Sequence, residues 1–391
     1  MRLLVIFPST QRGGAEDYTL TIASAAVNQG WDVHGAFPQT DGTPSLIRDF
    51  TEKNVQYHRL DISDAGSDSL EASTKPYLRL ARTVFLLLKI RPDVVLVTLP
   101  WPIHCFSTIV ACGLLKIPTA VVFQLIPFRF SFTNKKLKAY AWARSRNQQW
   151  IAISDHNRKF VCESFQIPQD EVLCIYNGIK VKPTSINCTN EDITTLRRQV
   201  REELGVDETS QLALTVGRLN SQKGYNELVQ VIPHLIKEFP DVKFVWVGDG
   251  ELREDLINKV REYGIEDKVL FLGYRSDVPR LLKSADLFVF PTHYEGQPFA
   301  LLEAMGHGLP IVTSDASGIP ELIENRVHGL LFRTGDSCDL SEALRWALMH
   351  SDSMKEMARN AQQRVQEFSE ERMVKETLGV LKKLADLEKK I

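Results

Sequence analysis

The feature that most constrains this chain is a regular alternation of short apolar runs with longer helical segments. The runs are rich in β-branched residues, and they include RLLVIF, DVHGAF, DVVLVTL and TAVVFQL in the first half and QLALTV, VKFVWV and DLFVFP in the second. Such continuous runs are typical of strands buried on both faces of a parallel sheet with helical crossovers. The pattern predicts an α/β, doubly wound fold. Ligands of such folds bind beyond the carboxyl ends of the strands, so the strand-to-helix loops are the candidate functional segments.

The length predicts two domains, because 391 residues are more than one hydrophobic core usually serves. We expect a Rossmann-like domain over residues 1–185 and a second over residues 186–370. A polar stretch with Pro183, between about residues 180 and 190, is the expected hinge. Residues 371–391 have leucines at helical spacing and predict an amphipathic helix.

The composition is that of an ordinary globular protein, with 43% hydrophobic and 25% charged residues. A net charge of −2 excludes a molecule that binds nucleic acid through its whole surface, and no nucleic-acid-binding motif occurs. The six cysteines show no C-x-x-C spacing and are typical of reduced thiols in the cytoplasm. The first apolar run is too short for a signal peptide, and no run approaches the roughly 20 apolar residues that span a bilayer.

A basic and aromatic interval stands out in the first half. No acidic residue lies between Asp93 and Asp155, whereas seven Lys or Arg residues do, interleaved with Phe, Tyr and Trp. Cations with aromatic anchors favour an anionic membrane surface. We therefore expect a peripheral membrane contact through residues 126–150, at the inner face of the plasma membrane. A solvated basic helix is the alternative.

The strongest candidate site follows the run DLFVFP, where Glu295 and Glu303 lie eight positions apart. Pro298 suits the first position of a short helix, and the glycines near Gly306 suit its end. A helix N-terminus here offers free backbone amides to an anion, phosphate above all. The amides expected to be free are those of Phe299, Ala300 and Leu301.

Two carboxylates beside a phosphate site are repulsive unless the ligand also carries hydroxyl groups. A sugar nucleotide meets both requirements, because its hydroxyls need acceptors and its diphosphate needs amides and cations. Glu303 would accept from the ribose hydroxyls, and Glu295 would face the transferred sugar. The alternative is a solvated Glu295 and a Glu303 that caps the helix or forms a salt bridge.

A second loop, between QLALTV and the next helix, contains Arg218 and Lys223. Two cations facing a helix N-terminus suit a diphosphate whose charge grows as a glycosyl bond breaks. Solvated loop cations are the alternative. The loop is not a Walker loop, and no D-x-D occurs in a strand-end loop, so no metal site is predicted.

These motifs resemble the donor site of the retaining GT-B glycosyltransferases of family GT4. The G-R-L-x-x-x-K-G element spans residues 217–224, and E-x7-E is followed by EAMGHGLPIVTSDASGIPELI. The matching positions in the second motif are Glu295, Glu303, Ala304, Gly308, Pro310, Gly318, Pro320 and Glu321. The chain departs from the family at Gln297 and Pro298, where members often have Phe-Gly.

The resemblance implies two Rossmann-like domains that face a central cleft, with the C-terminal helix crossing back to the first. It also implies retention at the anomeric carbon without a metal or other cofactor, and catalytic roles for Glu295, Arg218 and Lys223. A front-face route is favoured over a covalent intermediate, because no nucleophile is evident. Four further residues are placed at the donor by the resemblance: Gly14, Gly248, Tyr274 and Arg275, the last two at the nucleotide base.

The first domain is expected to take the acceptor. Its candidate residues are Glu16, His104, Gln124 and Arg129. Gln124 stands where many relatives have a histidine near the reacting sugar. No general base is therefore assigned.

The resulting hypothesis is a hexosyltransferase that uses a nucleoside diphosphate sugar, with UDP-glucose preferred over GDP-mannose. The acceptor would be a glycan or a lipid-linked molecule in cell-envelope or exopolysaccharide synthesis. One alternative is a nucleotide-sugar 2-epimerase of the same fold. Another is a protein that binds a nucleotide sugar without catalysis.

Overall fold

The computed structural model of the protein describes residues 1–62, 75–180 and 190–388. It divides into two units, Met1–Asn177 with Glu370–Ile391, and Gly178–Ser369. The predicted domain boundary at residues 185 and 186, and the hinge around Pro183, lie outside the described residues.

The first unit is built on a seven-stranded parallel sheet with the order β3-β2-β1-β4-β5-β6-β7. Its central strands are fully buried, since the six residues of Val94–Leu99 all lie inside. The strands are β1 (Arg2–Ile6), β2 (Asp32–Phe37), β3 (Gln56–Arg59), β4 (Val94–Leu99), β5 (Thr119–Phe123), β6 (Gln148–Ala152) and β7 (Val172–Cys174).

Helices cover this sheet in two layers. The described helices of the unit are α1 (Gly14–Asn28), α2 (Pro44–Glu52), α3 (Lys75–Ile90), α4 (Phe106–Leu114), α5 (Asn134–Arg144), α6 (Asp155–Phe165) and α15 (Glu370–Glu388). α3, α4, α5 and α6 pack on one another in that order, whereas α1 packs against α2 and α15. The chain crosses the sheet in one direction from β1 to β3 and in the other from β4 to β7, so right-handed crossovers place these two sets of helices on opposite faces.

The helix α15 is part of the first unit although it follows the second unit in the chain. It packs against α1, β4 and β5. Tyr18 of α1 and Thr377 of α15 are both buried, and their hydroxyl groups form a hydrogen bond of 3.2 Å.

The second unit has a six-stranded parallel sheet with the order β10-β9-β8-β11-β12-β13. Its strands are β8 (Gln211–Val216), β9 (Val242–Val247), β10 (Val269–Gly273), β11 (Leu287–Phe290), β12 (Ile311–Ser314) and β13 (Leu330–Phe332). Its described helices are α7 (Asn190–Leu204), α8 (Tyr225–Glu238), α9 (Arg253–Glu262), α10 (Val278–Ser284), α11 (Phe299–Gly306), α12 (Ile319–Leu322), α13 (Ser337–Met349) and α14 (Ser351–Arg364).

Each sheet has one point at which the strand order reverses. In the first unit this point lies between β1 and β4, and in the second it lies between β8 and β11. The loops that leave two adjacent strands in opposite directions open a crevice at such a point, which is where doubly wound sheets bind ligands. The predicted α/β fold with two Rossmann-like parallel sheets is confirmed.

No helix in the described part of the chain combines the length and the apolar character needed to cross a bilayer.

Candidate functional site

The candidate site lies at the strand-order reversal of the second sheet, where β8 pairs with β11. The loop after β8 spans residues 217–224 and contains Arg218 and Lys223. The loop after β11 spans residues 291–298 and contains Glu295. The parallel pairing therefore brings together two segments that lie about 70 residues apart in the chain.

Lys223 and Glu295 form an ion pair between these loops, through Nζ and Oε1. The two side chains are 16% and 8% exposed, so the pair is largely removed from water. Thr292 donates a 2.8 Å hydrogen bond to the same Oε1, and the ammonium lies 5.0 Å from the centre of the Phe290 ring. The Glu295 carboxylate, itself held by the Thr292 hydroxyl, and the Phe290 ring thus hold one lysine in place.

Gln222 fastens the two loops to each other. Its backbone carbonyl accepts from the amide of His293 at 2.7 Å and lies 3.0 Å from the hydroxyl oxygen of Thr292. Its side-chain amide donates to the carbonyl of Tyr294 at 2.8 Å. The sequence analysis missed Gln222 and Thr292, because nothing in their local sequence distinguishes them from other polar loop residues.

Gly224 allows a close approach between the two loops. Its φ is +67°, and a Cβ at this position would lie 1.8 Å from the carbonyl oxygen of Pro291. Only glycine satisfies both conditions, because a side chain would meet backbone that is fixed by the end of β11.

Gly248, a predicted donor residue, permits a similar approach between the loops after β8 and β9. Its φ is +137°, and a Cβ there would lie 2.1 Å from the carbonyl oxygen of Gly217. The structure thus places Gly248 directly beside the loop that contains Arg218.

Unlike Lys223, Arg218 is not paired with a carboxylate among the described side chains. It is also exposed to solvent. The site thus contains one cation held by a carboxylate and one that is open to an anionic ligand.

The helix α11 begins one residue later than predicted. Pro298 has φ −75° and ψ 124°, an extended conformation, so it is the N-cap and Phe299 is the first helical residue. The amide of Leu301 is also not free, because it donates to the Pro298 carbonyl at 3.2 Å. The amides of Phe299 and Ala300 have no hydrogen-bond acceptor among the described residues and are available to an anion.

Glu303, the fifth residue of α11, is partly buried, and its backbone carbonyl accepts from the amide of His307 at 3.0 Å. Of the residues predicted to hold the base, Tyr274 is 70% exposed just beyond β10. Arg275 is engaged by Asp277 at 2.7 Å and by Glu203 at 2.8 Å, and these two carboxylates raise the pKa of its guanidinium. Arg275 could therefore contact the nucleotide base only if its ion pairs with Asp277 and Glu203 were broken.

A second pair of charged groups supports the loop after β11. Nε2 of His293 lies 3.1 Å from Oε1 of Glu227 on α8. The Glu227 carboxylate raises the pKa of His293, and the imidazole lowers the pKa of Glu227.

The predicted acceptor residues all lie in the first unit. Glu16 is buried in α1 and accepts a hydrogen bond from the hydroxyl of Ser9. Gly14, predicted to contact the donor, is the first residue of the same helix. His104 is partly buried after β4, and Arg129 is exposed between β5 and α5.

Gln124 lies at the carboxyl end of β5 and is 7% exposed. Its Oε1 accepts from Nδ2 of Asn177 at 3.2 Å. Its Nε2 has no hydrogen-bond acceptor among the described residues. Burial of an unsatisfied amide donor is costly, and it identifies a position where a ligand oxygen would be stabilised.

Within the described ranges, no three His, Cys, Asp or Glu side chains are grouped as a metal ion would need.

Comparisons with known proteins agree with this architecture. The family Glycosyltransferase Family 4 matches residues 12–182, and the family Glycosyl transferases group 1 matches residues 197–364. An uncharacterized glycosyltransferase of Methanocaldococcus jannaschii is 32% identical over 60% of this chain. An Escherichia coli protein, UDP-Gal:alpha-D-GlcNAc-diphosphoundecaprenol alpha-1,3-galactosyltransferase, is 30% identical over 60% of this chain.

The matched parts span 60% and 61% of the lengths of these two relatives. A solved structure of Anabaena HepE in complex with UDP-glucose is similar over 100% of both chains, with a TM-score of 0.75 and 20% identity. That likeness is one of fold.

The two family matches leave only short segments of the chain outside them. The family resemblance seen in the sequence is confirmed, and the chain belongs to the GT4-type, group 1 glycosyltransferases of GT-B fold.

Proposed function

We propose that this chain is a retaining hexosyltransferase that uses a nucleoside diphosphate sugar. The observation that carries the proposal is the arrangement at the β8–β11 reversal. There the held cation Lys223, the open cation Arg218 and the free amides of α11 are supplied by two interlocked loops. Cations and amides at one strand-end crevice suit a diphosphate, and the carboxylates suit sugar hydroxyls.

UDP-glucose is the donor that we propose first. The Escherichia coli relative is named for a UDP-linked sugar, and Anabaena HepE was solved with UDP-glucose. Both support a uridine nucleotide over GDP as the first candidate. Glu303 would accept from the ribose hydroxyls, and Tyr274 would lie at the base.

The proposed reaction is a front-face displacement. The bond between the anomeric carbon and the diphosphate oxygen breaks, and a bond from the acceptor oxygen forms on the same face. The acceptor proton passes to the departing diphosphate oxygen, so no protein base is required. Arg218 and Lys223 would stabilise the negative charge that develops on the diphosphate, and no metal is invoked.

In this proposal Glu295 has two functions. It fixes the Lys223 ammonium before the donor binds, so that little reorganisation is needed when the phosphate charge develops. Its second oxygen would remain available to a hydroxyl of the transferred sugar.

For the acceptor we propose a glycan or a lipid-linked molecule in cell-envelope or exopolysaccharide synthesis, bound by the first unit near Glu16, His104, Gln124 and Arg129. The Escherichia coli relative is named for a diphosphoundecaprenol-linked acceptor, which supports the lipid-linked choice. A peripheral contact through residues 126–150 would keep the protein at the inner face of the plasma membrane.

The test is a calorimetric panel of UDP, GDP, ADP and their sugar conjugates against wild type, Arg218→Ala and Glu303→Ala. We expect uridine nucleotides alone to bind, with affinity reduced at least about tenfold in both variants. Arg253→Ala is the control, because Arg253 is also partly exposed but contacts only its neighbour Glu254. Binding that is equal in all variants would refute the site.

Product analysis with UDP-glucose separates the alternatives. Hydrolysis or transfer to a membrane lipid extract supports a transferase. A change of configuration at C2 without acceptor identifies an epimerase. Nucleotide binding with no turnover identifies a non-catalytic protein.

A further inference from the structure

The helix α3 is apolar on both of its faces. Leu86, Leu87 and Ile90 are buried against the sheet, as the core requires. The opposite face has four large apolar residues that are open to solvent: Tyr77 (76% exposed), Leu78 (53%), Phe85 (69%) and Leu88 (57%). Single exposed apolar residues are ordinary, but four on one helix form a patch that marks an interaction site.

The exposed residues follow helical spacing. At 100° per residue, Tyr77, Leu88, Phe85 and Leu78 fall within an arc of about 100°, and Lys89 and Arg82 flank one edge of it. An apolar stripe bordered by cations is the pattern of helices that lie in the interfacial plane of a membrane.

The neighbouring helices extend this surface. α4 packs against both α3 and α5. The hydroxyl of Ser107 donates to the carbonyl of Pro76 at 3.1 Å, and a Cβ at Gly113 would lie 3.3 Å from the Trp142 ring. Leu114 of α4 and Trp142 of α5 are 50% and 36% exposed. We call the surface formed by Tyr77, Leu78, Phe85, Leu88, Leu114 and Trp142 the α3–α5 face.

The chain segment that forms this face is strongly positive. Residues 75–154 contain twelve Lys or Arg residues and a single acidic residue, Asp93. Asp93 is occupied, since its carboxylate accepts from the backbone amide of Arg2 at 2.6 Å. Lys89, Lys116, Lys135 and Lys138 are among the exposed cations of this region that form no ion pair with any described carboxylate. An apolar face in a positive field complements an anionic lipid surface.

We propose that the α3–α5 face docks on an anionic lipid bilayer, with the aromatic and aliphatic side chains of α3 inserted at the headgroup level. This deepens the membrane contact in the proposed function, which was assigned to residues 126–150 alone, by making α3 the inserted element. It does not depend on sugar transfer.

The test is co-flotation of the full chain with vesicles of phosphatidylcholine, with and without phosphatidylglycerol. We expect binding only when the anionic lipid is present, weakened by salt. Phe85→Ser with Leu88→Ser should raise the lipid concentration for half-binding at least about tenfold, and Arg82→Glu with Lys89→Glu should do the same.

Two matched controls separate this surface from general effects. Tyr263→Ser with Met349→Ser removes two exposed apolar residues (41% and 64%) from the second unit, and Arg253→Glu with Lys355→Glu makes the same charge change there. Both should leave flotation unchanged. UDP binding should survive in every variant, so a failure of the docking proposal is distinguishable from a failure of the donor site.

Three results would overturn the proposal. One is no flotation of wild type with anionic vesicles. Another is equal flotation of all the variants. The third is a wild-type dimer in analytical ultracentrifugation that Phe85→Ser with Leu88→Ser converts to a monomer, because that would assign the face to a second copy of the chain.

Discussion

Lys223 and Glu295 lie 72 positions apart in the chain, yet their side chains form a largely buried ion pair across two adjacent strand ends. The pair links the loop after β8 to the loop after β11 at the reversal of strand order. Its position links the two loops, and in the proposed donor site it would fix a cation beside the diphosphate.

The first prediction concerns the stability of this pair. Lys223→Ala should lower the free energy of unfolding by about 3 kcal/mol, because it leaves the Glu295 carboxylate buried without its cation. Lys223→Ala with Glu295→Ala should cost less than the sum of the two single changes. Urea unfolding of all three variants measures the coupling. The exposed pair of Asp352 and Lys355 is the control and should couple by less than about 1 kcal/mol.

The second prediction tests the approach of the loops at Gly224. Gly224→Ala should destabilise the protein clearly more than Gly264→Ala, because the two glycines have φ values of +67° and +64° but only Gly224 has backbone in the way. A left-handed conformation alone costs roughly 1 to 2 kcal/mol, which is the loss expected at Gly264. Thermal unfolding measures both. Equal losses would mean that the Pro291 carbonyl moves freely and that the loops are not held together there.

The third prediction is a pH dependence of stability from His293 and Glu227. The raised pKa of His293 gives stability that is fully present below about pH 6.5 and is lost as the pH rises through the folded-state value. The lowered pKa of Glu227 gives stability that is present above about pH 4.5 and is lost as the pH falls through its folded-state value. The contribution of the pair should therefore be greatest between these limits.

His293→Gln should accordingly cost more near pH 6 than near pH 9. The difference should be under about 1 kcal/mol, because the imidazole is 34% exposed and solvent screens the pair. Urea unfolding at several pH values measures it, and Glu227→Gln should reproduce the same window. Parallel pH curves for wild type and His293→Gln would contradict the pairing.

The fourth prediction concerns Gln124 of the first unit. Gln124→Leu removes the buried Nε2 donor that has no protein acceptor in the described structure. We expect the rate of transfer at saturating acceptor to fall about tenfold or more, with UDP affinity unchanged. Steady-state kinetics and calorimetry measure the two quantities. Gln148→Leu is the control, because the Gln148 amide already donates to the Ile109 carbonyl and should affect stability rather than rate.

Much of the fold was predictable because most strands of both sheets are apolar runs of the kind that is typical of buried strands. The six buried residues of β4 are such a run, and the helices between the runs follow from their spacing. The order of strands was not predictable from these patterns, since any of several orders would bury the same residues.

The candidate site was predictable in its residues more than in its contacts. The motifs identified Arg218, Lys223, Glu295 and Glu303, whose roles remain predictions. Sequence alone did not reveal that Lys223 and Glu295 bind each other, because that contact depends on β8 and β11 being neighbours. The predicted start of α11 at Pro298 was wrong by one residue. Proline is compatible with both the N-cap and the first helical position, and the sequence does not determine its ψ angle.

The placement of α15 has a consequence for synthesis on the ribosome. The helix Glu370–Glu388 packs on α1, β4 and β5, so the first unit is assembled from two segments separated by the whole of the second. A nascent chain that has released only residues 1–177 therefore still exposes the surface of α1 and the strands that α15 will cover. The second unit is one contiguous segment, so it can fold as soon as that segment has left the ribosome. The unit that begins the chain is thus the last to be completed.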